Sequence, residues 1–217
     1  MTMLIRSDMP VPIVSGDALP APSSASCEVD PIDLVAAEKA AGDLLAALGQ
    51  RVDSGGMTQT PRRMAQAYAE LLTPGTFDLT TFANTEGYDE LVMVKDIPVT
   101  SICEHHMLPF AGVAHVGYLP ADRILGLSKF ARLVDVYSHR SQTQERLTQQ
   151  IAEHLDHHLA PRGLGVVIEA EHTCMSLRGV RAPGTRTVTS TLLGTLRNEP
   201  SSRAEFLSLA HSRRQGC

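Results

Sequence analysis

The sequence predicts an α+β domain behind a helical N-terminal segment, and three observations predict it. Apolar residues recur at helical spacing in two stretches before residue 75 and in two more between residues 128 and 160. β-rich stretches flank the second helical pair on both sides, and a short helical stretch closes the chain. Proline and glycine punctuate the boundaries, and there is no internal repeat. The order αα, ββ, αα, ββ, α fits one α+β domain with an appendage, a reasonable size for 217 residues.

Residues 1–30 read as a disordered arm rich in Pro, Ser and Ala. A helical segment over 31–75 follows. Asp30 is placed to cap its first helix and Pro31 to open it, with Leu34, Ala37, Ala41, Leu44, Leu45 and Leu48 on one face and Gly49 as the stop. Thr60 caps a second helix opened by Pro61 and carrying Met64, Ala67, Tyr68, Leu71 and Leu72; a turn at 73–77 ends it. The remaining 76–217 form the expected main domain. Its strands are predicted at 91–99 and 112–118, its paired helices at 128–137 and 142–160, two more strands at 164–174 and 186–193, and a last helix at 203–209. In the second of the paired helices Leu147, Ile151, Leu155 and Leu159 recur four apart, and Pro161 to Gly163 stop it.

Composition narrows the function. The apolar fraction is 43% and the charged fraction 20%, which excludes wholesale disorder, and no apolar run approaches the ~18 residues of a membrane span. A net charge of -5 argues against a general nucleic-acid binder. Within that mild acidity the 19 basic residues are almost all Arg, the residue suited to bidentate phosphate contacts. The four cysteines, Cys27, Cys103, Cys174 and Cys217, form no regular disulfide framework, and the N-terminus lacks an export signal. A cytoplasmic location is expected, where such cysteines point to metal or catalysis.

The densest chemical signal is Cys103-Glu104-His105-His106 just after a predicted strand and before a turn-like Pro109-Phe110. Cys103 and His106, three apart, can meet one metal if the backbone turns between them; in an extended chain Cys103 shares a face with His105 instead. Spacing alone leaves both open. In 164–174, strand alternation puts Val166, Ile168, Ala170, His172 and Cys174 on one face. Cys103, His106 and Cys174 together make two thiolates and one imidazole. Three protein ligands leave a fourth position for water, the pattern of a catalytic zinc. Gly126-Leu-Ser128-Lys129 opens a helix with Arg132 one turn on, an arrangement that favours an anion such as phosphate, and Arg178 follows the Cys174 strand. Glu145, beside Gln144 at the start of the long helix, offers a carboxylate that can accept two parallel N–H bonds, as a guanine edge donates and an adenine does not.

These blocks stand in order: Cys-Glu-His-His with Pro-Phe-x-Gly, Gly-Leu-Ser-Lys-x-x-Arg, Gln-x-Gln-Glu-Arg-Leu-Thr-x-Gln-Ile, His-x-Cys-Met-x-x-Arg-Gly-Val and Thr-x-Thr-Ser. Together they resemble the GTP cyclohydrolase I family from about residue 60 to 206. The resemblance implies the tunnelling fold, a ββααββ unit that closes into barrels by subunit association, and toroidal homodecamers with each active site at a subunit junction. It implies Zn2+ held by Cys103, His106 and Cys174, with His105 and His172 as the catalytic histidines. Ser128, Lys129, Arg132 and Arg178 match the triphosphate contacts, with Arg63 as a further one from another subunit; Gln144 and Glu145 match the guanine contacts. Ser141 and Thr143 depart from the apolar or Pro residues many members carry there. The implied reaction is hydrolytic opening of the GTP imidazole ring at C8, loss of formate and reclosure to 7,8-dihydroneopterin triphosphate. Two rivals share the chemistry. A zinc nucleobase deaminase expects a Pro-Cys-x-x-Cys pair, which is absent here. A catalytically silent zinc-stabilised binding or regulatory module expects four closed ligands.

Overall fold

The computed structural model describes residues 31–212. The predicted arm over 1–30, with Cys27, and the terminal Cys217 lie outside the described residues. Helix α1 (Leu34–Ala47) is capped by Asp33, whose carboxylate accepts the N–H groups of Val35 and Ala36 at 3.0 Å each. Asp33 rather than Asp30 takes this role because it stands immediately before the first helical residue, where a side-chain oxygen reaches the second and third N–H. Gly49, at φ 76°, adopts the left-handed turn that ends the helix. A single 3₁₀ turn at Gly55–Met57 leads into α2 (Thr60–Leu72). The capping position there is Gln59, so Thr60 is already helical and its hydroxyl turns to the Met57 sulfur at 3.6 Å.

The rest of the described residues build a five-stranded sheet with helices on both faces and a separate two-stranded sheet. In order it comprises β1 (Thr81–Ala83), β2 (Val92–Cys103), β3 (Leu108–Leu119), β4 (Arg123–Leu125) and α3 (Leu127–Ser138). Then come β5 (Ser141–Gln142), α4 (Gln144–Leu159), β6 (Gly163–His172), α5 (Thr173–Ser176), β7 (Arg186–Gly194), α6 (Thr195–Asn198) and α7 (Pro200–His211). The main sheet has the order β5-β2-β3-β6-β7, antiparallel except for the short parallel pairing of β5 with β2. The principal elements β2, β3, α3, α4, β6 and β7 reproduce the ββααββ order of the tunnelling fold. Strand β2 runs further than expected, to Cys103, and Pro109 and Phe110 belong to β3 rather than to a turn, opposite Ile102 and Ser101. The reversal is confined to the four residues between Cys103 and Leu108.

Helices α3 and α4 cover one face of the sheet. Phe130, Leu133, Val134 and Tyr137 from α3 meet Leu147, Ile151, Leu155 and Leu159 from α4, all buried. The i, i+4 row on α4 is therefore the core stripe its spacing predicts. Ala160, at φ 46°, closes α4 ahead of Pro161. The opposite face is covered by α7 through Phe206, which lies over Gly117 and Gly165. A Cβ on Gly165 would sit 2.5 Å from that ring, so glycine is what lets the helix approach the sheet. A bulge in β2 between Val94 and Ile97 turns Lys95 outward, and its ammonium donates to the Ser212 carbonyl at 2.6 Å and hydroxyl at 2.8 Å, tying down the end of α7.

One buried histidine makes this core sensitive to acid. His154 of α4 pairs its Nδ1 with the Tyr137 hydroxyl at 3.0 Å, and its Nε2 is buried without a hydrogen-bond partner. Burial first, then the nearby His158 and His157, push its pKa down to about 4. The folded protein thus holds His154 neutral, whereas the unfolded chain takes up a proton as pH falls through about 6.5. Its contribution to stability is present above about 6.5 and is lost progressively towards pH 4. His154→Gln is expected to flatten the fall in melting temperature between pH 7 and 4.5 relative to wild type. Parallel melting curves across that range would contradict this.

Candidate metal centre and active site

The tight reversal between β2 and β3 folds Cys-x-x-His into a chelate. The N–H groups of His106 and Met107 both donate to the Cys103 carbonyl, at 3.3 and 2.8 Å, and Met107 adopts a left-handed φ of 53°. This turn brings the His106 Nδ1 back to 3.8 Å from the Cys103 sulfur and leaves His105 pointing elsewhere. From α2, the Tyr68 hydroxyl donates to the Met107 carbonyl at 2.9 Å and anchors the turn from outside.

Cys174 arrives by a different route from the one strand alternation suggests. Strand β6 ends at His172, and Cys174 lies in the single helical turn α5, whose start is fixed by the Thr173 hydroxyl donating to the Pro109 carbonyl. The helical turn swings the thiol towards the β2–β3 reversal, so that the ligand atoms of Cys103, His106 and Cys174 all lie within 4.8 Å of one another. Tetrahedral zinc with two thiolates and an imidazole needs ligand atoms about 3.5–3.8 Å apart. The donor set and its spacing fit such an ion after a small contraction. Burial and the adjacent Cys103 push the Cys174 thiol up, so metal uptake must displace its proton and weakens as pH falls.

His172 is held on two sides. Its ring stacks on Phe110, the residue opposite it in β3, with centroids 4.5 Å apart and planes 11° from parallel. Its Nε2 lies 2.9 Å from the Gln144 side-chain oxygen. Burial lowers its pKa, and the nearby Glu145 carboxylate works in the opposite direction. Gln144 itself is almost wholly buried, and its amide nitrogen faces the Ile168 and Thr187 carbonyls at 3.0 Å and the Thr189 hydroxyl at 3.1 Å. Both ends of the Gln144 amide are thus committed within the chain. Glu145, one residue on, is exposed in the first turn of α4. His105 is also exposed, with its Nε2 3.8 Å from a Glu104 oxygen.

Cys103, His105, His106, His172, Cys174, Gln144 and Glu145 therefore gather at one end of the sheet, and Arg178 is near enough for its charge to act on Cys174. Ser128, Lys129 and Arg132 do not join them. The start of α3 sits by the other end of the strands, where Gly126 N–H donates to the Thr80 carbonyl and Leu125 N–H to the Tyr118 hydroxyl. At and just past the far end of α3, the Tyr137 and Arg140 carbonyls accept from Gln142, the partner of Cys103 in the sheet, and from Ser101. About 15 Å of helix lies between Ser128 and Ser138. Arg63 is exposed in the first half of α2, with no tie to the metal group. Met107, Met175, Leu177 and Val180, which follow the metal-group residues closely in the chain, are exposed apolar side chains. The sequence missed the pairing of Glu104 with Arg146, whose 42-residue separation carries no local signal.

Comparison with known proteins bears on this arrangement. The family profile described as GTP cyclohydrolase I matches residues 37–211. The GTP cyclohydrolase 1 of Streptomyces griseus is 54% identical over 183 residues, covering 82% of this chain and 90% of that protein. Those of Mycobacterium avium and Mycobacterium tuberculosis are 50% and 51% identical, over 87% and 86% of this chain and 95% of each relative. Among solved structures, that of the archaeosine synthase QueF-Like in the apo form aligns with a TM-score of 0.41 at 20% identity, over 48% of this chain and 93% of that one. A match that spans most of the chain at half identity, over the same blocks that build the metal group, leads to one conclusion: the chain belongs to the GTP cyclohydrolase I family.

Proposed function

We propose that this protein is a zinc-dependent GTP cyclohydrolase I, which opens the imidazole ring of GTP at C8, releases formate and recloses the product to 7,8-dihydroneopterin triphosphate, a first step towards pterins. The observation that carries the reading is the convergence of Cys103, His106 and Cys174 within 4.8 Å, with His105 and His172 within two residues of these ligands in the chain. Three ligands of this kind leave a coordination position open, which favours catalysis over a closed structural site. When bound, zinc supplies Lewis acidity that brings the pKa of a water molecule towards neutrality.

The chain's own groups do the rest. The Glu145 carboxylate accepts the guanine ring N–H and amino group, and a backbone N–H in the first turn of α4 donates to the base oxygen. That gives Gln144 a part in base binding through its backbone, its side chain being occupied with His172. His172 donates its Nε2–H to Gln144, so Nδ1 is left free to accept a proton, and burial keeps the ring neutral and ready for it. His105, exposed beside the metal group, protonates the ring nitrogen as the C8 bond opens. Ser128, Lys129, Arg132 and Arg178 bind the triphosphate, with Arg63 as an outer contact.

Because Ser128, Lys129 and Arg132 stand at the far end of the sheet, one chain supplies two halves of two different sites. This supports a homodecamer in which sites form where subunits meet, as do the exposed apolar side chains of Met107, Met175, Leu177 and Val180. The segment 31–75 is then a helical appendage to the catalytic domain over 76–217. No helix among the described residues is long and apolar enough to cross a membrane, in keeping with a cytoplasmic enzyme.

The test is to add GTP to the zinc-loaded protein and follow formate together with a pterin-type absorbance. Stoichiometric appearance of both is expected. Zinc binding without either product would favour the silent module, and ammonia in place of formate would favour a deaminase.

A further inference from the structure

We infer that Arg146, acting through Glu104, is a positioning residue that fixes His105 beside the metal group; the inference rests on the function proposed above. Arg146 stands at the third position of α4, and its guanidinium is spread over three partners. One Nη2 donates to the Glu104 carboxylate and to the Ser141 carbonyl at 3.2 Å, and Nε donates to the Gln142 side-chain oxygen at 2.9 Å. Gln142 is itself buried and held, since its amide nitrogen donates to the Tyr137 carbonyl at 3.1 Å and the Gln150 oxygen at 2.9 Å. The planar fork of an Arg is thus seated on a rigid base, where a point charge such as Lys could not meet all three groups.

Glu104 is fixed at both ends as a consequence. Its backbone N–H donates to the Gln142 carbonyl at 3.0 Å, where β5 runs alongside the end of β2, and its side chain is gripped by Arg146. The other carboxylate oxygen faces the His105 Nε2 at 3.8 Å. His105 is 65% exposed, and its remaining neighbour is the edge-on ring of His106, 6.3 Å away between centroids. An exposed imidazole with so little packing takes its orientation from the charged group beside it. The same helix turn holds the other histidine: Gln144 grips His172, Arg146 grips Glu104, and between them stands Glu145, the carboxylate assigned above to the base. One turn of α4 therefore sets the base-binding carboxylate and both proton-handling rings in a common frame.

The decisive comparison uses zinc-loaded wild type, Arg146→Met, Arg146→Lys, His105→Ala and the double variant Arg146→Met/His105→Ala. Arg146→Met is expected to lower kcat for formate release by about tenfold to a hundredfold, with KM for GTP within about twofold and bound zinc unchanged. Arg146→Lys is expected to recover part of the loss. The double variant should be no slower than His105→Ala alone, because a group that acts through His105 has nothing to act on once the ring is gone. Crystal structures of the wild-type and Arg146→Met proteins give a readout independent of turnover: Glu104 and His105 move, while Cys103, His106 and Cys174 stay in place. An unmoved His105, an unchanged kcat, losses that multiply in the double variant, or zinc lost in step with activity would each overturn the inference. Wild type that releases no formate would instead refute the proposed function, with the crystallographic comparison still deciding whether Arg146 holds His105.

Discussion

Cys174→Ala is expected to abolish formate release, by at least about a thousandfold, and to leave less than about a tenth of the wild-type zinc per chain. The geometry behind this is specific. Cys103 and His106 come from one tight reversal and already approach each other, whereas Cys174 is the only ligand of the three brought from β6, across the sheet. Without it the ion would keep two protein donors on one hairpin, too few to hold it or to orient its open position. Cys174 sits in a helical turn beyond the end of β6 and packs half-buried against the edge of the core without being one of its buried members, so the fold should survive its loss. That separates the catalytic reading from a structural one. In a structural site, loss of a ligand unfolds the domain, whereas here far-UV circular dichroism and melting temperature should stay near wild type while zinc and turnover vanish together. Wild-type formate release by the metal-free variant would sink the assignment of Cys174, and collapse of the fold would transfer the ion to a structural role.

How much of this was legible in the sequence follows from the range over which each feature is encoded. The core stripe of α4 depends on residues four apart and was readable directly from Leu147, Ile151, Leu155 and Leu159. The same holds for the chelating turn, since Cys103 and His106 meet through a local reversal once the backbone is not extended. Cap positions shifted by one to three residues, because Asp33 competes with Asp30 for the same helix and only backbone geometry decides between them. Cys174 was read as a strand residue because alternation through Ala170 and His172 gives no warning that the strand stops; the stop comes from Thr173 bonding across to Pro109. The burial of Gln144 carries no local signal, because it depends on carbonyls from β6 and β7 that lie 24 and 43 residues away. The division of Ser128, Lys129 and Arg132 from the metal group was equally hidden. Motifs adjacent in function are separated here by the length of a helix, and a linear pattern does not say which chain completes which site.

Glu145→Ala is expected to lower kcat/KM for GTP by about a hundredfold or more, since each charge-assisted hydrogen bond to a carboxylate contributes about 1.5–3 kcal/mol. A carboxylate in the first turn of a helix is also an ordinary way to complement the helix dipole, worth about 0.3–1 kcal/mol. The size of the loss alone therefore distinguishes the two roles, but base selectivity distinguishes them better. Inosine triphosphate keeps the ring N–H and lacks the 2-amino group, so wild type should prefer GTP over it through the second hydrogen bond to Glu145. In Glu145→Ala that preference should shrink towards unity, because no carboxylate remains to register the missing donor. Arg132→Ala offers the contrast: weaker use of both triphosphates, with their ratio preserved, as befits a residue that meets phosphate and not the base. Glu145 is exposed and Gln144, beside it, is locked to His172, so alanine at 145 removes the carboxylate without disturbing the neighbouring network. Equal loss of the GTP-to-inosine triphosphate ratio in both variants would remove Glu145 from the base site and leave its carboxylate as a helix-start charge.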